Sequence, residues 1–338
     1  MNKRANKQFH VGVDVSRNTL DVAARTDSGV EQRTAQFANT SAGHRQLIKW
    51  LTTGGRSARV VLEATGVYSL DLALALDAAP RIAAMVVNPR AARKFADACL
   101  QRSSTDATMA VALQEYAARM EFVPWTPPLP QVREVRAIAR RIAALTLEKS
   151  RELNRQHAAG ATADTPAVVV NDVAVNVRHL QRRIDELERH AVTLITTNPQ
   201  LKPVYQRLLS VCGIADTTAI QLLGELLVLP ADMSAREWVA HSGLDVRHVN
   251  SGTSVHKAPR ISKQGDAHIR RILYMPALVA SQHEPHVHAF YEQLLAAGKK
   301  PLQALVAVMR KLLHAIWGML KTNTDFDGAK FRKLPEAA

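Results

Sequence analysis

The chain has 338 residues, 47% of them hydrophobic, and a net charge of +14. That length allows two or three domains with real cores, while two distant cysteines, Cys99 and Cys212, exclude a disulfide scaffold. No run of 18 apolar residues is present, which excludes a membrane-spanning helix, and the basic excess favours a polyanionic partner, because Lys and Arg release counterions from phosphates.

The opening MNKRANKQFH is basic but has no apolar stretch, so no secretory signal is expected and the expected location is the cytoplasm. Residues 8–122 read as α/β. FHVGVDVS and TLDVAARTD are expected strands, a turn follows at Asp27–Gly29, and EQRTAQFAN forms a third strand. SAGHRQLIKWLTTG is an expected helix with Ser41 as N-cap and Gly54 as its stop. The strand ARVVLEAT, the helix SLDLALALDAA, the strand RIAAMVVN and the helices NPRAARKFADACL and Thr105 to Met120 complete the segment. A hairpin followed by βαβ crossovers gives a mixed sheet flanked by helices, an order that suits an RNase H-like domain.

Three carboxylates stand out in that segment. Asp14 lies in VGVDVS, Glu63 ends an apolar run in RVVLEATGVY, and Asp106 opens the helix TDATMAVAL. Acids gathered from separate elements repel one another unless a cation lies between them, and hard ions such as Mg²⁺ (or Mn²⁺) take oxygen ligands. A carboxylate-held metal is a common device for cutting and rejoining phosphodiesters.

PWTPPLP marks a linker, and residues 128–196 change character. Val135, Ile138, Ile142 and Leu145 recur at helical spacing, and Val177, Leu180, Ile184, Leu187, Ala191 and Leu194 resume it after the weak stretch HAAGATADTP. So narrow a stripe reads as a coiled-coil arm, either a hairpin or a pairing with another chain, beside the simpler reading of an ordinary two-helix core.

Residues 205–322 read as mostly helical. RLLSVCGIADTTAIQLLGEL has the form of a helix-hairpin-helix, SAREWVAHSGLD is a short helix, and residues 245–268 look polar, basic and loop-like. Helices are expected from His268 to Ala280 and from Pro301 to Leu320, with a frayed tail after Thr322. The cluster HEPHVH brings His283, His286 and His288 close in sequence, but Pro285 interrupts it and no cysteine is near, so a polar loop is expected rather than a zinc site.

Taken together, these motifs resemble the DEDD-type transposases of insertion-sequence family one-ten, including its eleven-eleven subgroup and the Piv-type invertases. VGVDVS, LEATGVY, VNPRAARKFA and TDATMAVAL resemble the family's RuvC-like N-terminal domain. LLSVCGIADTTAIQLLGEL, WVAHSGLDVR, NSGTSV, RISKQGDAHIRRIL and GKKPLQALVAVMRKLLHAIWGML resemble its C-terminal transposase domain. The resemblance implies an RNase H fold over residues 8–122, a coiled-coil arm over 128–196 and a helical transposase domain over 205–322. It implies a recombinase that acts on double-stranded DNA at element ends and target, guided by a non-coding bridge RNA, working as a homodimer or homotetramer with no membrane role.

Carried over residue by residue, the resemblance makes Asp14, Glu63 and Asp106 the first three acids of a Mg²⁺ site. The fourth family acid falls where this chain has Met109, whose thioether is no ligand for a hard metal. Three acids with water can suffice, another acid such as Asp97 can substitute, or the copy is weakened. Glu115 is out of helical phase with Asp106 and should point away. The family's nucleophilic serine corresponds to Ser251 in VNSGTSV, with Ser254 its near competitor; as bare residues, Ser251 and Gly252 would read as a turn. His248, His256, Lys257, Arg260 and Lys263 lie near it in sequence, and Lys257, Arg260, Lys263, Arg270 and Arg271 are expected to track a phosphate backbone. Because metal site and serine fall in different domains, a composite site built by two subunits is expected. Two rivals stay open: a plain nuclease that needs only the acids, and a binding relative disabled at Met109.

Overall fold

The computed structural model describes residues 8–29, 31–64, 66–99, 105–251 and 255–333, and the side chains of all of these except residues 67 and 249–258. The chain divides into two compact units, Met1–Pro127 and Pro128–Ala338. Among the described residues no helix is long and apolar enough to cross a membrane.

The first unit is mixed α/β. Its elements are β1 (Gln8–Val15), β2 (Thr19–Thr26), β3 (Gln32–Ala38), α1 (Ser41–Thr52), β4 (Ser57–Glu63), α2 (Val67–Asp77), β5 (Ile82–Val87), α3 (Pro89–Ala98) and α4 (Asp106–Arg119). The sheet order is β3-β2-β1-β4-β5. β1, β2 and β3 meander antiparallel, whereas β4 and β5 run parallel to β1. A tight turn at 16–18, closed by the Ser16 amide on the Thr19 carbonyl at 2.9 Å, allows the β1–β2 pairing, the turn at 27–29 begins the return to β3, and the later crossovers need helices, which α1 and α2 supply. β4 carries the continuous apolar run Val60, Val61 and Leu62 because helices cover both faces of the sheet centre, whereas β1 alternates Phe9, Val11, Val13 and Val15 with His10, Gly12 and Asp14. One core joins Phe9, Val11, Val13, Leu47, Leu51, Val60, Leu62, Leu72 and Leu76, and a second joins Val61, Val87, Ala92, Leu113 and Ala117. Thr40, not Ser41, caps α1: its side chain accepts from the Gly43 amide.

The second unit is helical apart from one hairpin. It comprises α5 (Pro130–Gly160), α6 (Ala167–Thr197), α7 (Leu201–Leu209), α8 (Asp216–Leu226), α9 (Ala235–Ser242), β6 (Val246–Ser251), β7 (Val255–Ile261), α10 (Ala267–His283), α11 (Pro285–Ala296), α12 (Pro301–Thr322) and α13 (Gly328–Phe331). α5 and α6 pair along their length. Their ends near residues 132–145 and 180–195 share one core with α7, α8, α10 and α12. No residue from 146 to 179 is buried, so the far half of this helical hairpin is held only by its own pairing.

Three local expectations are corrected. Residues 245–268 are not simply a loop, since they contain the antiparallel β6–β7 hairpin; too few apolar residues lie in it to give a strand signal. HEPHVH is not a loop. α10 runs to His283 and α11 starts at Pro285, with Glu284 between them accepting the Val287 amide at 2.6 Å and proline at the first helical position. The tail is not frayed through 333, because Phe331 is buried against Phe290 and Phe326.

Candidate active site

The acidic site of the first unit follows from the sheet register. β1 and β4 are parallel and Val13 pairs with Leu62, so Asp14 and Glu63 leave the carboxyl ends of adjacent strands side by side. The third acid arrives by helix packing. α4 lies directly on β1 at Gly12, where a Cβ would meet the Ala110 carbonyl at 2.1 Å and the Gln114 amide at 2.2 Å. Only glycine permits that approach, and it carries the first turn of α4 to the end of β1. There Thr105 and Thr108 form a reciprocal capping box and Asp106 occupies the first turn, where a negative charge suits the helix dipole. The Ser16 hydroxyl, just beyond β1, donates to Asp106 Oδ2 at 3.3 Å.

Electrostatics record the crowding. The Asp14 carboxyl is pushed up to about 6, first by burial and then by the charges of Asp106, Glu63 and Asp21. Burial also raises Glu63, and the cation of Arg93 on α3 opposes it. Asp21 and Arg93 went unnoticed in the sequence. The signal for Asp21 was the hairpin itself, which pairs it with Asp14 across β1 and β2. Gln36 donates to both Asp21 oxygens, at 3.1 and 3.3 Å.

The donors here are all oxygen, as a hard divalent ion requires, and they repel one another without one. Among the described residues no three His, Cys, Asp or Glu side chains stand arranged to hold a metal as they are. Mg²⁺ is often bound by one or two carboxylates plus water, so the donor set fits such an ion chemically. Asp14, Glu63 and Asp106 would hold it. Met109 does not face that role: it packs with Met85, Tyr116 and Phe122 against the core around Val61 and Leu113. Glu115 is engaged elsewhere by Arg25 and Arg119, each at 2.7 Å, and Asp97 is exposed on α3.

The serine motif belongs to the second unit. Ser251 is the last residue of β6 and pairs with Val255 across the hairpin end. Its side chain, those of His256 and Lys257, and Ser254 entirely lie outside what is described. The register shifts between Arg247 and Val249, opposite Pro259, which has no N–H to give the ladder. Arg247 stands directly across from Arg260 and both are exposed. Like charges facing each other across a strand pair are unfavourable, and an anion between them removes the cost.

The base of the hairpin is braced by polar contacts. The Ser262 amide donates to the Asp245 carbonyl at 2.8 Å and its hydroxyl to the Asp245 side chain. Asp266 donates its amide to the His241 carbonyl at 2.7 Å, and Gly265, with φ +146°, lies so close that a Cβ would meet that same oxygen at 2.0 Å. Lys263 is exposed on this turn with φ 53°. Arg270 is half-buried. Its Nη1 donates to the Ser242 carbonyl at 2.6 Å and, more loosely, to the Gly265 and Asp266 carbonyls. Arg270 thus braces the hairpin base through one nitrogen of its guanidinium, and Arg271 is exposed beside His268. The helix-turn-helix at Gly213 rests on α10: a Cβ there would meet Pro276 and Val279. His286 and His288 use Nδ1 on the carbonyls of Arg332 and Ser281, at 2.6 and 2.8 Å.

Comparison with known proteins agrees with this layout. A family model for IS110-type DEDD transposases matches residues 11–159, and a second, described as transposase of the IS116/IS110/IS902 family, matches residues 205–292. The pilin gene-inverting protein of Moraxella lacunata is 28% identical over 94% of this chain and 97% of its own length. Its counterpart in Moraxella bovis is 27% identical over the same shares. An insertion element IS110 protein of Streptomyces coelicolor is 26% identical over 47% of this chain and 38% of its own length.

Proposed function

The chain belongs to the IS110 family of transposases, and from that premise we propose that it cuts and rejoins DNA strands with a divalent cation on the first unit and a serine nucleophile on the second. The observation that carries this reading is the arrival of Asp14, Glu63 and Asp106 from three elements at one end of the sheet, with Asp14 raised by its neighbours. The strand order supports an RNase H-like assignment for that unit. A bound Mg²⁺ or Mn²⁺ would stabilise charge building on the phosphate and assist loss of the attacking group's proton.

Ser251 is the proposed nucleophile. Its Oγ would form a bond to phosphorus as one sugar oxygen leaves and takes up a proton, and the serine proton would pass to a base. The strand is then held as a phosphoserine ester, and attack by a sugar hydroxyl of the other DNA returns the serine. Arg247, Arg260, Lys263 and Arg271 supply exposed cations for the phosphate backbone, with Lys257 proposed beside them. A guide RNA would leave sequence choice to base pairing, and the protein would then read backbone and duplex shape. The net charge of +14 suits both nucleic acids. The far half of the α5–α6 hairpin exposes Leu147, Leu153, Val168 and Val175, which supports assembly through this arm into a homodimer or homotetramer.

The test is strand cleavage of element-end DNA, with its RNA, in Mg²⁺, Mn²⁺ and chelator. Wild-type protein is expected to cleave only with metal and Asp14→Asn not at all. Equal cleavage by Asp14→Asn would remove the acidic site from the reaction.

A further inference from the structure

One polar side chain ties together the loops that flank the acidic site. Asn39 follows β3 immediately, ahead of the cap of α1. Its Nδ2 donates to two backbone carbonyls: Ser16 at 2.9 Å and Tyr68 at 3.1 Å. Ser16 lies two residues beyond Asp14 and its hydroxyl reaches Asp106. Tyr68 lies in the first turn of α2, five residues beyond Glu63. Both protons of the amide are thus spent on the chain just after two of the three acids.

The orientation of that amide is set from the other side. His44, in the first turn of α1, is buried at 5% exposure, and its Nε2 lies 2.8 Å from Asn39 Oδ1. An amide oxygen only accepts, so Nε2 carries the proton. Burial pushes the His44 pKa down against the pull of Asp71, which favours the neutral ring. With Oδ1 engaged by His44, Nδ2 can face only the two carbonyls.

We propose that Asn39, oriented by His44, is a positioning residue for the acidic site, fixing the chain ends from which Asp14 and Glu63 enter it. The inference rests on the metal-site reading above. Groups that orient metal-holding side chains are second in line to the metal, and their loss typically weakens binding about 10- to 100-fold.

The experiment measures Mn²⁺ binding to the whole chain by calorimetry after metal removal, with thermal unfolding in chelator alongside. Asn39→Ala is expected to weaken Mn²⁺ binding about tenfold or more while changing the melting temperature little. Asn39→Asp should do the same, because a carboxylate still accepts from His44 but repels both carbonyls. His44→Leu should weaken binding, and His44→Gln, whose amide can still donate to Oδ1, should restore most of it. Wild-type affinity in both Asn39 variants would overturn the proposal. So would affinity that simply follows melting temperature, with His44→Gln no better than His44→Leu. Wild-type protein that binds no Mn²⁺, or binds it equally after Asp14→Asn, would overturn the metal site itself, an outcome visible before any Asn39 variant is compared.

Discussion

The two units hold opposite charges under the same kind of tension. In the first, acids from β1, β4 and α4 are brought together by an apolar core, and Asp14 resists ionising as a result. In the second, Arg247 and Arg260 face each other on a hairpin whose base is braced by polar contacts. Packing of Gly12 under α4 forces the first arrangement, and Ser262, Asp266 and Arg270 brace the second. Neither is at ease alone: one wants a cation, the other an anion. Groups held in unfavourable company by the rest of the fold are what a ligand site looks like before the ligand arrives.

The sharpest way to break this comparison is steric. Gly12→Ala drives a methyl into the Ala110 carbonyl, a contact of 2.1 Å with backbone that cannot turn aside. We expect a loss of about 1–3 kcal/mol in denaturant unfolding, the usual range for overpacking, and a larger loss of metal binding because α4 carries Asp106. Gly265→Ala should instead disturb DNA binding and leave metal binding alone, since it touches only the base of the hairpin. If both variants harmed both properties equally, the separation of roles would fail.

A smaller effect comes from pH. Asp14 has its folded pKa raised from 3.8 to about 6, so its protonated form is favoured in the folded chain. The stability it contributes is therefore full below about pH 3.8 and is lost as pH rises through about 6. Cation and proton compete for the same carboxylate, so Mn²⁺ affinity should fall about tenfold per pH unit below 6 and flatten above it. Calorimetry between pH 5 and 7.5 checks this, and a flat profile would show that Asp14 is not a ligand. The smallest effect belongs to the cations. Arg247→Ala and Arg260→Ala should each lower the salt dependence of DNA binding by about one unit of slope, measured by titration at several salt concentrations. Arg270→Ala should lower stability as well, through its lost contacts to the Ser242 and Gly265 carbonyls.

Legibility in the sequence followed the strength of the periodic signal. The strands holding Asp14 and Glu63 and the helix that Asp106 opens were all readable, because apolar runs and helical periodicity are local features. The β6–β7 hairpin was not, as it has little apolar content and its strands are defined by pairing. The bracing contacts of Arg270 were not readable either, because the carbonyls of residues 242, 265 and 266 come together only in three dimensions. Asp21, Arg93 and Asn39 were missed for the same reason: each acts across a strand pair or a loop junction. Met109 was read from a motif position, and the fold adds that it fills a core.

The most direct test of the account combines the protein with its RNA and labelled element-end and target DNA in Mg²⁺, followed by denaturation and a search for DNA bound covalently to protein. An adduct whose mass maps to Ser251 is expected, absent in Ser251→Ala and in Asp14→Ala. Cleavage that continues in Ser251→Ala with no adduct would contradict it and leave a metal nuclease working through the acids alone.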